Sequence, residues 1–127
     1  MRKSITVYAV SDQTAETVCR LVRAASAQFP GGDVTIKALS HASSAAQVVD
    51  FIEAQGDGGR SCAVFHTILA KGFRKDLRNA LQTRRIPSID LLGSAAHLMA
   101  DLLGVRPMET PGLTIDDGAE PQVFDFS

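Results

Sequence analysis

Between residues 4 and 103, short runs rich in β-branched and apolar side chains alternate with segments whose apolar residues recur at helical spacing. The first run, Ser4 to Val10, is extended by composition and stops at the polar pair Ser11-Asp12. After it, Val18, Leu21, Val22, Ala25 and Phe29 fall on one helical face, and Pro30-Gly31-Gly32 ends the segment. Asp12 is the expected N-cap of this helix, with Glu16 favourable in its first turn. Asp33 to Leu39 reads as a second strand, and Ser43-Ser44 opens a helix carrying Ala45, Val48, Val49 and Ile52. Following the flexible Gly56-Asp57-Gly58-Gly59 turn, Ser61 to Thr67 gives a third strand, apolar enough to be covered on both sides. A third helix, Lys71 to about Arg84, is expected to bury Phe73, Leu77, Ala80 and Leu81. Ile86 to Leu91 makes a short fourth strand, and a last helix from about Ser94 to Leu103 is expected to bury Ala95, Leu98, Met99, Leu102 and Leu103. Gly104 and Pro107 supply its stop.

Strands alternating with helices of this length imply parallel βαβ crossovers. The expected fold is therefore α/β: a three-layer, Rossmann-like sandwich around a four-stranded parallel sheet of order 2-1-3-4. Residues 1–107 form that domain, and 108–127, rich in Pro, Gly and acidic residues, read as a tail or linker with a weak strand signal at Gln122–Phe126.

Composition excludes several classes of function. Hydrophobic residues make up 45% and charged residues 21%, an ordinary globular balance. No apolar run approaches the roughly 18 residues of a membrane span, and Ile5 to Val10 is too short for a secretory core, so no targeting segment is read. A formal net charge of −1 argues against nucleic-acid binding. Cys19 and Cys62 have neither metal-ligand nor redox spacing and read as small apolar residues of a cytoplasmic protein. No metal site is expected, since His41 and His97 lack partners at ligand spacing.

In an open parallel sheet, ligands bind beyond the carboxyl ends of the strands, where the strand order reverses. That places Ser11, Asp12, Gln13 and Thr14 beside His66 and Thr67, with Ser40, His41 and Asp90 ending the neighbouring strands. Free N–H groups at the start of the first helix suit an anion, but Asp12 and Glu16 oppose one, so capping is the favoured role of this loop by chemistry alone. A histidine such as His66 at the end of an apolar strand is more often a rim residue than a catalyst. Asp90 ends a buried strand and needs a partner; capping the turn near Gly93-Ser94 is favoured, with Arg74 as the other option. Lys71, Arg74, Lys75 and Arg78, at i, i+3, i+4 and i+7, share one helix face. A solvated face explains such a set most simply; docking of a phosphate-bearing ligand or an acidic partner is the functional alternative.

Several segments in order resemble one family. Val7 to Thr17, reading Val-Tyr-Ala-Val-Ser-Asp-Gln-Thr-Ala-Glu-Thr, is similar to the strand and Ser-Asp-Ser-Thr-Gly-Glu-Thr opening of the regulatory proteins of phosphoenolpyruvate synthase and pyruvate,phosphate dikinase. Gln28-Phe29-Pro30, Phe65 to Ile68, Arg74, Ile86 to Gly93 and Pro111-Gly112-Leu113 continue the resemblance over about residues 4–113. It implies a bifunctional regulator that transfers phosphate from ADP to a threonine of one of those enzymes and removes it with inorganic phosphate, releasing pyrophosphate. ADP and phosphate are thus implied for the full-length family, and the target enzyme is the implied partner. The family's phosphate loop is not among these residues, for Gly-x-x-x-x-Gly-Lys-Ser/Thr occurs nowhere in them. The chain is accordingly expected to hold no cofactor, to have no catalytic residue of its own, and to bind a ligand or the target.

Departures from the family pattern are Gln13 for serine, Ala15 for glycine and Ser94 for proline. Loss of the loop serine and glycine, with the absence of the phosphate loop, motivates the alternative reading of a non-catalytic assembly module, a homodimer in which the acidic tail of one copy docks on the basic helix of another. An independent hydrolase is disfavoured, because there is no nucleophile elbow and no Ser/His/Asp set.

Overall fold

A computed structural model describes residues 3–56 and 61–109. The chain alternates strictly: β1 (Ser4–Ser11), α1 (Glu16–Ser26), β2 (Asp33–Leu39), α2 (Ala45–Gln55), β3 (Ser61–Thr67), α3 (Lys71–Thr83), β4 (Ser88–Asp90) and α4 (Leu91–Leu103). The four strands form one parallel sheet, as the alternation implies, and its order is the expected β2-β1-β3-β4. β1 is central, with Val7 beside Ile36 on one flank and Ala63 on the other, and its residues from Thr6 to Ser11 are all buried.

Because side chains alternate along a strand, β1 feeds two cores. Tyr8 and Val10 pack with Val48, Val64, Ile68, Leu77 and Leu81 on the side of α2 and α3. Val7 and Ala9 pack with Ala15, Val18, Cys19 and Val22 of α1 on the other side, with Phe65 and Leu91 adding to that cluster. An edge-to-face contact of Tyr8 with Phe51, centroids 6.0 Å apart, ties α2 to the sheet.

The helix ends follow local chemistry in part. Ser44 caps α2, its side chain accepting from the Gln47 N–H at 3.1 Å. Gly104, at φ 70°, closes α4 in the left-handed conformation. Asp12, expected to cap α1, does not: Ala15 holds that position without a side-chain cap. Asp12 Oδ2 instead accepts from the Leu69 N–H at 3.1 Å, tying the loop after β1 to the one after β3.

Three further expectations are corrected. The fourth strand is only Ser88–Asp90, and α4 starts at Leu91 rather than near Ser94, because the Asp90 carboxylate begins the helix by accepting from the Gly93 N–H at 2.7 Å. On α1, Val18, Cys19 and Val22 are buried, but Leu21 is 45% exposed, Ala25 is exposed, and Phe29, beyond the helix end, is 66% exposed. On α4 the apolar residues expected in the core face outward: Leu98, Met99, Leu102 and Leu103 are 61%, 63%, 80% and 72% exposed, and Ala95 is exposed too. The helix turns its small side to the protein, with Gly93 buried and Ala96 and Ala100 half-buried. A helix apolar nearly all round has two faces to cover, and one four-stranded sheet covers only one of them.

Among the described residues no helix is long and apolar enough to cross a membrane, and no group of three or more His, Cys, Asp or Glu is placed to hold a metal ion. Most of the 108–127 tail, the weak strand signal at Gln122–Phe126 included, lies outside the described residues.

Candidate functional site

Two polar clusters stand at the carboxyl ends of the strands. The first is the crevice between β1 and β3. Ser11 is buried opposite Thr67; its hydroxyl accepts from the Gln13 N–H at 3.0 Å and donates to the Thr67 carbonyl at 3.4 Å. The Ser40 hydroxyl accepts from the Ala15 N–H at 2.9 Å, and the His41 N–H donates to the Gln13 carbonyl at 2.7 Å. With Asp12 bonded to Leu69, the loop is a rigid, internally bonded corner. Of the four residues Ser11 to Thr14, only Gln13 and Thr14 are exposed.

The second cluster is a cleft of about 530 Å³ between α3, the end of β4 and the start of α4. Register brings it together: His66 and Asp90 are paired neighbours on β3 and β4, and Ser88 lies one pleat earlier on the same side. The cleft is lined by Lys71, Arg74, Lys75 and Arg78 from α3, so the whole basic face read from helical spacing opens onto it. Gly93, Ser94 and His97 form its α4 wall. Thus His66 and Asp90 join the basic face, whereas Ser11, Asp12, Gln13, Thr14 and Thr67 belong to the crevice.

Arg74 organises this cleft. Its side chain is 20% exposed, and Nη1 lies 3.5 Å from Asp90 Oδ2 while Nη2 lies 3.8 Å from Glu109 Oε1. Asp90 serves two partners at once, capping α4 through Oδ1 and facing Arg74 through Oδ2. Both roles suggested for Asp90 by the sequence therefore occur together. Gly93 makes this possible, since a β carbon there would run into the Arg74 guanidinium and both Asp90 carboxylate oxygens.

His66 forms the floor and is 3% exposed. Burial lowers its pKa below the ordinary histidine value; the Asp90 carboxylate pulls it up and the Arg74 guanidinium pushes it down again. The net direction is downward, so the ring is neutral near pH 7. His66 Nδ1 stands 3.9 Å from Asp90 Oδ1, too far for a hydrogen bond, and neither it nor the buried Arg74 Nε has a partner among the described residues. Lys71, Lys75 and Arg78 are exposed and make no ion pair among the described residues. Sequence reasoning missed Glu109 as a partner of Arg74 in the same chain, because nothing local joins positions so far apart. It also missed Gly93, whose signal was present as a glycine three residues after a capping aspartate.

The family model for kinase/pyrophosphorylase proteins matches residues 7–122. The chain belongs to the kinase/pyrophosphorylase family. A member of Geotalea daltonii that carries the name pyruvate, phosphate dikinase regulatory protein is 33% identical over 108 residues, covering 84% of this chain and 39% of that relative. A protein of the same name from Lysinibacillus sphaericus is 29% identical over 121 residues, covering 91% of this chain and 43% of the relative. One from Listeria monocytogenes is 30% identical over 108 residues, covering 84% and 38%. The chain therefore spans about two fifths of the length of these relatives.

Proposed function

We propose that this chain is the recognition part of a regulatory protein acting on pyruvate,phosphate dikinase or phosphoenolpyruvate synthase, and that it binds its target or a phosphate-bearing ligand without transferring phosphate itself. The observation that carries this reading is the four-cation cleft at the carboxyl end of the sheet, in a kinase/pyrophosphorylase family chain whose 127 residues hold no Gly-x-x-x-x-Gly-Lys-Ser/Thr. Basic clefts attract anions and acidic surfaces over distance and orient them on contact. ADP-dependent phosphorylation and phosphate-dependent dephosphorylation of a threonine belong, on this reading, to the longer proteins. The crevice from Ser11 to Thr14, with Thr67, is the place where this part would touch ADP. Two cysteines with neither metal-ligand nor redox spacing, Cys19 and Cys62, suit the reducing cytoplasm.

The test is binding of the purified chain to each target enzyme by calorimetry, with Lys75→Glu/Arg78→Glu as the comparison. Binding that the double variant abolishes supports the reading. No binding to either enzyme, combined with amide resonances at Ser11 to Thr17 that ignore ADP, rejects it.

A second reading, a self-associating module, is favoured by the outward apolar side of α4, where Leu98, Leu102 and Met99 lie in one stripe. Its occupant is the same stripe of a second copy. A sedimentation coefficient that rises with concentration, and no longer does so in Leu98→Lys/Leu102→Lys, supports it; a monomer throughout rejects it.

A further inference from the structure

We propose that the basic face of α3, where it opens onto the cleft, is the docking site for an acidic segment of the same chain, residues 110–127. The inference deepens the reading above by giving the recognition cleft a cover of its own. It does not need the target enzyme, so the two can fail separately.

The cleft holds cations in excess. Lys71, Arg74, Lys75 and Arg78 line it, and both nearby carboxylates, Asp90 and Glu109, face Arg74. Lys71, Lys75 and Arg78 are exposed and make no ion pair among the described residues. Like charges at i, i+3 and i+4 on one helix repel one another, and an anionic occupant relieves that repulsion. From Lys71 to Arg78 the row extends about 10 Å along α3. Several spaced carboxylates match a row of this length better than one compact anion does.

The sequence supplies such carboxylates next door. Residues 110–127 carry Asp116, Asp117, Glu120 and Asp125 and hold no lysine or arginine. Their charge is therefore not neutralised within the segment, and it complements the three exposed cations.

The route of the chain favours the same copy over a second one. Glu109, with which the described residues end, has its Oε1 3.8 Å from Arg74 Nη2. The chain thus reaches the edge of the cleft before the acidic segment begins. At φ 56° Glu109 is in the left-handed conformation, which residues with a β carbon adopt rarely and chiefly at turns. Asp116 follows seven residues later, and seven extended residues reach about 23 Å, more than twice the length of the basic row. A segment tethered so close has an effective concentration in the millimolar range, above that of a second copy in dilute solution.

The cover is built to be displaced. Exposed ion pairs are weak one by one and are screened by salt. An acidic partner must first remove the segment, and its apparent affinity falls with the fraction of chains that are covered.

The experiment compares amide NMR spectra of the whole chain and of Asp116→Asn/Asp117→Asn/Glu120→Gln. Spectra are taken at low salt and at about 1 M chloride, where the screening length is about 3 Å. The expected result is low-salt differences at Lys71, Lys75, Arg78 and Ser94 that vanish at high salt and do not change on dilution. A synthetic peptide of residues 110–127 should bind the variant at those amides about tenfold or more tightly than it binds the unaltered chain. Lys75→Glu/Arg78→Glu, at exposed positions, should abolish that peptide binding. Three results overturn the assignment. They are α3 amides identical in chain and variant at low salt, differences that grow with protein concentration, which assign the cleft to a second copy's segment, or equal peptide affinity for the two.

Discussion

Arg74 Nη1 and Asp90 Oδ2 meet at 3.5 Å over the bare α carbon of Gly93, in the space that any side chain at that position would fill. This one contact joins α3 to the start of α4, and the same carboxylate supplies the helix cap. Changes at either residue should thus be felt both in stability and in the shape of the cleft.

Gly93→Ala tests the close approach directly. The added methyl must displace the guanidinium or the carboxylate, and overpacking of this kind costs on the order of 1–3 kcal/mol. Urea unfolding should show a lower midpoint with an unchanged slope. An unaltered midpoint would mean the two groups separate without strain.

Asp90 separates the cap from the pair. Asp90→Asn keeps an acceptor for the Gly93 N–H and loses only the pairing with Arg74, which at 30% carboxylate exposure is worth about 1 kcal/mol or less. Asp90→Ala loses the cap as well, roughly a further 1 kcal/mol. Equal losses in the two variants would show that the cap contributes nothing.

Stability should depend on pH through His66. Burial holds its folded pKa below the unfolded value of about 6.5, so the unfolded chain takes up a proton first as the pH falls. Stability is full above that value and declines below it. Asp90 and Arg74 are the charged groups that face the ring, and their opposing effects are already included in the direction of the shift. Comparing urea midpoints at about pH 7.5 and about pH 5 should show a drop that is smaller in His66→Leu. An equal drop in both would assign the acid loss to the carboxylates.

Thr6 is wholly buried in the central strand, and its hydroxyl has no partner among the described residues. Thr6→Val keeps the shape and removes the unsatisfied group, so it should stabilise by on the order of 1 kcal/mol. A loss of stability in thermal unfolding would show that the hydroxyl is bonded in solution.

The alternation of periods made the fold legible: Ser4 to Val10 and Ser61 to Thr67 are too apolar for anything but covered strands, and the helices between them force parallel pairing. The basic face of α3 was readable for the same reason, being a matter of spacing alone. Asp90 was readable because a carboxylate that closes a strand either caps the next turn or holds a base, although β4 itself is more exposed than its sequence suggests. What escaped was decided by distant parts of the chain. Asp12 looked like a local cap, yet its partner is the Leu69 N–H, brought near by the pairing of β1 with β3. The outward stripe of α4 escaped because periodicity reports an apolar face without saying what lies against it.

The strand order has a consequence during synthesis. β1 leaves the ribosome first but lies between β2 and β3, and its second neighbour is complete only at Thr67. At ordinary elongation rates this leaves the β-branched stretch around Thr6 to Val10 one-sided for on the order of seconds. Translation speed through the β2 and β3 codons thus sets how long that stretch can pair with another nascent chain instead of its own.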